Sequence, residues 1–445
     1  MIENNTSLPE EFLKRIQKQI TDISEFVSEL EQDAPTFIRL NKQKVTRAEH
    51  LPEGEGVKWN SLGLKLKERP KFSQDPLYHA GLYYPMEASS MFLDYVLQQI
   101  ELSGGGTILD LCAAPGGKTL ITKDRFPDNF LVSNEIELKR AHILKENVVR
   151  WGTNEHLVIN SDARKLAKGS TRYELIIVDA PCSGEGLFRK DERSRGEWTL
   201  ERARGCAFRQ TEILEDALTL LEDGGYIVYS TCTYNPDENL KQIERLIDSG
   251  NFSSLDIEVP SEWKIEKIEN NGAIGYQFWP HRLEGEGFFI SIVRNTKTPV
   301  IENGKIKVPK LKEISLKLPS GIELRDKYMV DLKGNFFAFS EKEWAIYHDL
   351  MQCGQVVKKG LFLGELKGND FIPSHDLSTH PAAYNFTNKI ELNLEQALDY
   401  LKGNALILST EKGVVLLTFN GLAIGFGKSN GQRINNLFPK HLRIN

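Results

Sequence analysis

From about residue 107 the chain alternates short apolar runs with longer amphipathic stretches. The runs are TILDL (107–111), FLVSN (130–134), HLVIN (156–160), ELIIVD (174–179) and GYIVYS (225–230). Between them lie segments such as ELKRAHILKENVVRWG and RQTEILEDALTLLEDGG, whose apolar residues recur at helical spacing. Near-continuous apolar runs separated by helices predict an α/β fold with a parallel sheet covered on both faces. Such sheets bind ligands beyond the carboxyl ends of their strands. The residues at or just past the ends of the runs are therefore the candidates for chemistry: Asp110, Cys112, Glu135, Asp162, Asp179, Cys182 and Cys232.

The flanks read differently. Residues 1–80 predict a small α+β unit, with an opening helix over about 9–32 and a short basic strand, TFIRLNKQKV. YYPMEASSMFLDYVLQQI has helical spacing and is stopped by SGGG. KIEKIENNGAIGYQFWPHRLEGEGFFISIVRN predicts an antiparallel pair with Gly-Glu-Gly at the turn. NTKTPVIENGKIKVPKLKEI has linker composition, and the remainder, with short runs NALILST, GVVLLTF and GLAIGFG, predicts one or two small α+β units. The expected organisation is 1–80, 81–296 and 297–445.

Composition narrows the picture. A chain of 445 residues exceeds one ordinary core. Its five cysteines form no C-x-x-C pair, which argues against a disulfide framework or a zinc site and for a reducing compartment. The N-terminus lacks the basic start and apolar centre of a signal peptide, and no run approaches membrane-spanning length, so the expectation is a cytoplasmic monomer without metal or membrane. Net charge is −6, so a nucleic-acid partner would need a local basic surface. Two stretches offer one: 187–210, and the C-terminal GFGKSNGQRINNLFPKHLRIN. Asp191, Glu192, Glu197 and Glu201 lie among the arginines of the first, the pattern of a salt-bridged helix face.

ILDLCAAPGGKTL places a strand, an acid, a small-residue turn and a helix in succession. A P-loop needs Gly six positions before its Lys, where this chain has Cys112, and G-x-G-x-x-G is absent. S-adenosylmethionine carries cationic groups and two ribose hydroxyls, and asks for carboxylates at several strand ends. Asp110, Glu135 and Asp162 supply them in register. A single acid at such a place is more often a helix cap.

DLCAAPGGKT, DAPCSGEG and STCTYNPDEN, in that order, resemble the RNA cytosine-5 methyltransferases of the NOL1/NOP2/Sun family. DAPCSGEGLFRKD and the C-terminal appendage are most similar to the branch that methylates 16S ribosomal RNA. Met86 departs from that pattern, which more often has Gln there. The resemblance implies a Rossmann-like methyltransferase core, a small N-terminal α+β RNA-binding domain and a C-terminal α+β, PUA-like RNA-binding appendage. It implies S-adenosylmethionine as cofactor and ribosomal RNA or the small ribosomal subunit as partner. By this resemblance Cys232 is the nucleophile that adds to cytosine C6, and Cys182 aids product release. Cys112, Ala113, Ala114, Pro115, Gly116, Gly117 and Lys118 form the cofactor loop, with Glu135 and Asp162 on ribose and adenine. Asp179 lies between cofactor and base and, with Lys118, meets the base edge; to donate to N3 it must carry a proton, at least transiently. Position alone does not rank the two cysteines.

The target base has to be single-stranded or flipped, and the 187–210 arginines are expected to hold its flanking backbone. Transfer RNA as substrate, or a non-catalytic ribosome-assembly role, are the alternatives. A DNA substrate leaves Cys232 without a role. Cys206 and Cys353 read as small buried hydrophobes.

Overall fold

The computed structural model describes residues 8–297, 308–368 and 370–445; the middle of the predicted linker segment lies outside them. An N-terminal sheet contains β1 (Thr36–Leu40), β2 (Glu55–Val57), β3 (Asn60–Leu66) and β4 (Tyr83–Pro85), in the order β2-β3-β1-β4. Its fourth strand thus comes from beyond residue 80. The central strands are β5 (Thr107–Asp110), β6 (Phe130–Asn134), β7 (His156–Asn160), β8 (Tyr173–Asp179) and β9 (Leu221–Thr231), followed by β10 (Phe252–Ser254), β11 (Glu266–Asn270), β12 (Ala273–Phe278) and β13 (Phe288–Asn295). Further along come β14 (Tyr328–Leu332), β15 (Asn335–Phe339), β16 (Gln355–Lys358), β17 (Leu361–Lys367) and β18 (Asp370–Pro373). The last four are β19 (Lys389–Glu391), β20 (Gly413–Phe419), β21 (Leu422–Ser429) and β22 (Ile434–Asn436).

The core sheet runs β11-β12-β13-β9-β8-β5-β6-β7-β16, with β10 paired to β13. β9, β8, β5, β6 and β7 are parallel, as the apolar runs predict. Burial explains those runs. In β8, Leu175 and Ile177 face one apolar cluster while Ile176 and Val178 face the other, so neither side of the strand meets water. The helices Phe92–Leu97 and Leu200–Leu220 cover opposite faces. Strand order reverses between β5 and β8, which places a crevice at their carboxyl ends.

Several expectations change. The opening helix is two helices, Glu10–Ile16 and Ile23–Leu30. The break frees Asp22 to accept from Arg282 Nε at 2.8 Å and Nη2 at 2.7 Å, an ion pair a continuous helix would not direct this way. The expected antiparallel pair is three strands, since β12 pairs with both β11 and β13; Gly285–Gly287 precedes β13. NALILST forms only an isolated bridge, Leu406 to Ile434. The C-terminal region builds two four-stranded sheets, β14-β15-β17-β18 and β19-β20-β21-β22, and sends β16 out to pair with β7.

The parts are tied by buried polar contacts. Arg39 of β1 meets Asp124 at 2.5 Å, and Trp151 Nε1 donates to the same carboxylate at 3.0 Å. Asn420 exchanges two hydrogen bonds with the His50 backbone, joining the C-terminal sheet to the N-terminal unit. Among the described residues, no helix is long and apolar enough to cross a membrane. Removing one partner of a buried ion pair leaves the other charge unsolvated, at about 3–5 kcal/mol. Asp124→Ala is therefore expected to lower the unfolding free energy by about that much in a urea titration.

Candidate active site

Because β8 and β9 are paired neighbours, with Asp179 opposite Ser230, the loops that leave them start side by side. Cys182 and Cys232 lie just past those ends, and their sulfurs are 3.2 Å apart. The residue after each cysteine completes the link: Ser183 Oγ and Thr233 Oγ1 are 2.9 Å apart. Ser230 Oγ donates to Asp179 at 2.8 Å, and Lys118 Nζ lies 2.8 Å from the other Asp179 oxygen. Lys118 also stands 5.1 Å from the centre of the Phe288 ring. Asp179 is therefore partly exposed and paired with a cation.

A cavity of about 730 Å³ joins the two ends of the crevice. It is lined by Cys182, Cys232 and Asp179 on one side and by Cys112, Ala114, Glu135 and Asp162 on the other. A smaller cavity of about 190 Å³ shares Cys112, Ala114 and Asp179 with it and adds Asp110, Ala113, Pro115, Gly117, Lys118, Tyr84 and Met86. Nearly all of the sequence-predicted site residues thus come together. Gly116 lies behind the loop at φ 120°, where a side chain would be strained and its Cβ would meet Leu144 at 3.0 Å. The loop carbonyls are held from behind: Arg140 donates to Ala114 O and Asn147 to Pro115 O, both at 2.7 Å.

The acids differ in their surroundings. Asp110 is fully buried and accepts from Thr119 Oγ1 at 2.5 Å, while its other oxygen has no protein partner. Burial pushes its carboxyl up to about 7. Glu135 accepts from the Glu137 N–H at 2.9 Å and faces Arg140 at 3.3 Å. Asp162 caps the short helix Ala163–Leu166 through the Arg164 N–H at 2.9 Å, the role an isolated strand-end acid most often has. It lines the cavity as well.

The thiols also separate. Burial, followed by the nearby carboxylates Asp110, Asp179 and Glu135, holds the Cys112 thiol well above its usual range. Cys182 is raised well above it too, first by its contact with Cys232, then by burial. Cys353 is buried in the core, and Cys206 is half-buried on the helix Leu200–Leu220.

Residues outside the predicted set hold the two loops. Glu238 is buried and accepts four hydrogen bonds: from Ser183 N–H (2.8 Å), Ser183 Oγ (2.6 Å), Asn235 Nδ2 (2.9 Å) and Gln210 Nε2 (3.1 Å). On the other side, buried Glu185 accepts from Trp198 Nε1 at 2.9 Å and Tyr234 N–H at 3.2 Å, and pairs with Arg15 at 2.6 Å. Both acids sit inside the recognised motifs but close no strand, so the strand-end rule passes over them.

The arginine-rich stretch needs correction. Arg189 is buried against Glu29 and Arg195 against Glu31, both at 2.9 Å, and Arg202 pairs with Glu197 at 2.8 Å. The first two dock the N-terminal helices; of the stretch, Arg209 lines the large cavity. The charges of Arg189 and Arg195 are committed to protein packing, against partners more than 150 residues away in the chain.

A switch-point crevice with paired thiols and acids at successive strand ends defines a Rossmann-like methyltransferase. Family profiles agree along the chain. The profile described as 16S rRNA methyltransferase RsmB/F matches residues 97–294, the N-terminal domain of 16S rRNA methyltransferase RsmF matches 8–88, and the methyltransferase RsmF PUA domain matches 387–444. The chain belongs to the RsmB/F family of 16S rRNA methyltransferases. It is similar to the ribosomal RNA small subunit methyltransferase F of Vibrio parahaemolyticus, 28% identical with 98% of each chain covered. The protein of the same name from Aeromonas hydrophila is 29% identical, with 99% of this chain and 98% of that one covered. Among solved structures, NSun6 from Pyrococcus horikoshii with SFG shares the fold at a TM-score of 0.54 and 19% identity, covering 66% of this chain and 99% of that one.

Asp110 supplies a test of the buried acid. Its carboxyl ionises less readily in the folded chain than at the unfolded value of about 3.9. The folded state therefore holds the extra proton between about pH 4 and 7, and stability falls as pH rises through that window. Asn at this position carries no such penalty. Asp110→Asn is expected to melt progressively higher than the wild type as pH goes from 5 to 8, read by thermal denaturation without ligand.

Proposed function

We propose that this protein methylates C5 of a cytosine in 16S ribosomal RNA, using S-adenosylmethionine and a transient bond between Cys232 and C6 of the base. The observation that carries the reading is the 3.2 Å pair of sulfurs beside the Lys118–Asp179 pair, in one cavity with Glu135 and Asp162.

The residues present fit the cofactor. The unpartnered oxygen of buried Asp110 suits a cationic amino group, and the Gly116 turn lets backbone come close to a ligand. Glu135 and Asp162 suit ribose hydroxyls and an adenine edge. Ile136, 68% exposed at the cavity, offers an apolar face for a ring. When bound, S-adenosylmethionine supplies an electrophilic methyl group.

The chain's own groups do the rest. The Cys232 thiolate forms a bond to C6, and the C5=C6 electron pair moves toward C4 and N3 as N3 takes a proton from Lys118, which regains it when the ring is restored. Lys118 and Asp179 form a donor–acceptor pair that suits the N3 and N4 edge. C5 becomes enamine-like and takes the methyl group. Its proton then passes to solvent in the open cavity, the C5–H pair re-forms C5=C6, and the C6–S bond breaks with its electrons left on Cys232. Cys182 donates a hydrogen bond to that sulfur as the charge returns. This is covalent catalysis dividing one difficult step into easier ones. The RNA surface is supplied by the N-terminal unit, the C-terminal sheets and Arg209, and affinity rests on phosphate contacts.

Bisulfite sequencing of 16S ribosomal RNA from cells lacking the gene is expected to show one or a few cytosines that lose protection. Cys232→Ala is expected to abolish transfer, while Cys182→Ala accumulates a gel-stable RNA–protein adduct. Normal turnover in Cys232→Ala would overturn the assignment. Replacing Gly116 by Ala strains the loop, and cofactor affinity measured by calorimetry is expected to fall about tenfold or more, with kcat at saturation less affected.

A further inference from the structure

Two sulfurs at 3.2 Å share one hydrogen bond, so one of them donates the proton and the other accepts it. The contact itself does not say which. The surroundings are not symmetric, and the asymmetry comes from a residue that touches neither sulfur's substrate face. Glu238 takes two hydrogen bonds from Ser183, the residue bonded to Cys182, through both its backbone N–H and its hydroxyl. On the Cys232 side Thr233, the residue bonded to it, reaches Glu238 only through Ser183 Oγ, and Glu185 accepts from the Tyr234 N–H, one residue further along.

All four donors to Glu238 are N–H or O–H groups directed at its two oxygens, an arrangement that only a carboxylate satisfies. A glutamine would turn an NH₂ toward at least one donor. Burial raises the Glu238 carboxyl and the hydrogen bonds from Ser183 and Asn235 oppose that rise; the charge they favour lies beside Cys182, where it disfavours a second negative charge. Burial of Cys182 acts in the same direction. The other charged and titratable neighbours of Glu238 are Glu185, which adds negative charge, and half-buried Cys206; the Tyr229 hydroxyl donates to the Glu238 backbone carbonyl at 2.6 Å.

We propose that Glu238 is a positioning residue that assigns the shared thiol proton to Cys182, leaving Cys232 as the sulfur that attacks. The inference rests on the covalent reading above and deepens it. It gives a physical reason for the ranking of two cysteines that their positions at neighbouring strand ends do not supply. It also gives Cys182 the proton-bearing form needed to stabilise the Cys232 sulfur when the base departs.

The test uses the full-length chain without RNA, iodoacetamide as probe, and mass spectrometry to follow each cysteine between pH 6.5 and 9.5. In the wild type Cys232 is expected to alkylate about tenfold faster than Cys182, since the thiolate is the reacting form. In Glu238→Gln the preference is expected to shrink to about threefold or less, and in Glu238→Asp, which keeps the charge, to be largely restored. Ser183→Ala loosens the loop but leaves the charge, and is expected to keep the wild-type preference. If Ser183→Ala and Glu238→Gln change it equally, Glu238 is only a loop staple and the proposal fails. A measurement independent of the folding of Glu238 variants is the pH profile of Cys182 in Cys232→Ala. There its alkylation midpoint is expected to stay above the ordinary thiol value of about 8.5, and a return to that value would overturn the proposal. The covalent reading itself is judged separately, with RNA containing 5-fluorocytidine. An adduct mapped to Cys182 would sink that reading, whereas an adduct on Cys232 with unchanged alkylation in Glu238→Gln would sink only the proton assignment.

Discussion

The spacing of two neighbouring parallel strands is the constraint from which the site follows. Paired strands lie about 4.8 Å apart, so the loops leaving β8 and β9 begin within reach of each other. Their tips would still diverge without a tie across them. Ser183 to Thr233 on one level, and the buried carboxylates Glu238 and Glu185 on either side, provide it. Each carboxylate is desolvated, which is costly unless its lone pairs are filled. Here they are filled mostly by groups from the loops themselves, so loop geometry and charge satisfaction become one condition.

The same logic extends outward. Glu185 is completed by Arg15 of the first helix, and an aromatic cluster of Phe12, Phe26, Phe188, Trp198, Tyr234 and Trp279 packs around it. Tyr234 and Trp279 stack with their planes 8° apart. The N-terminal helices therefore act on the two cysteine-bearing loops directly, as a brace. Arg189 and Arg195 carry the electrostatic half of that contact.

What the sequence made legible was whatever depends on neighbours along the chain. The five parallel strands appear as apolar runs because both faces of each are buried, and the crevice residues follow from the strand ends. The cofactor loop and both cysteines were legible as motifs. Charges whose partners are distant were not. Arg189 and Arg195 look like part of a nucleic-acid surface until Glu29 and Glu31 are placed against them. The break in the first helix leaves Asp22 paired with Arg282, some 260 residues away. Glu238 was hidden for a different reason: it ends no strand, and its importance lies in four donors drawn from three separate segments.

The short strand β16 has a consequence for how the protein is put together. By pairing with β7 it covers what would otherwise be the open border of the core sheet, and Lys358 fastens it to the His156 carbonyl at 2.8 Å. An uncovered strand border invites pairing with foreign chains. The C-terminal region thus supplies the last strand of the core sheet, and cutting it away would bare the hydrogen-bonding edge of β7.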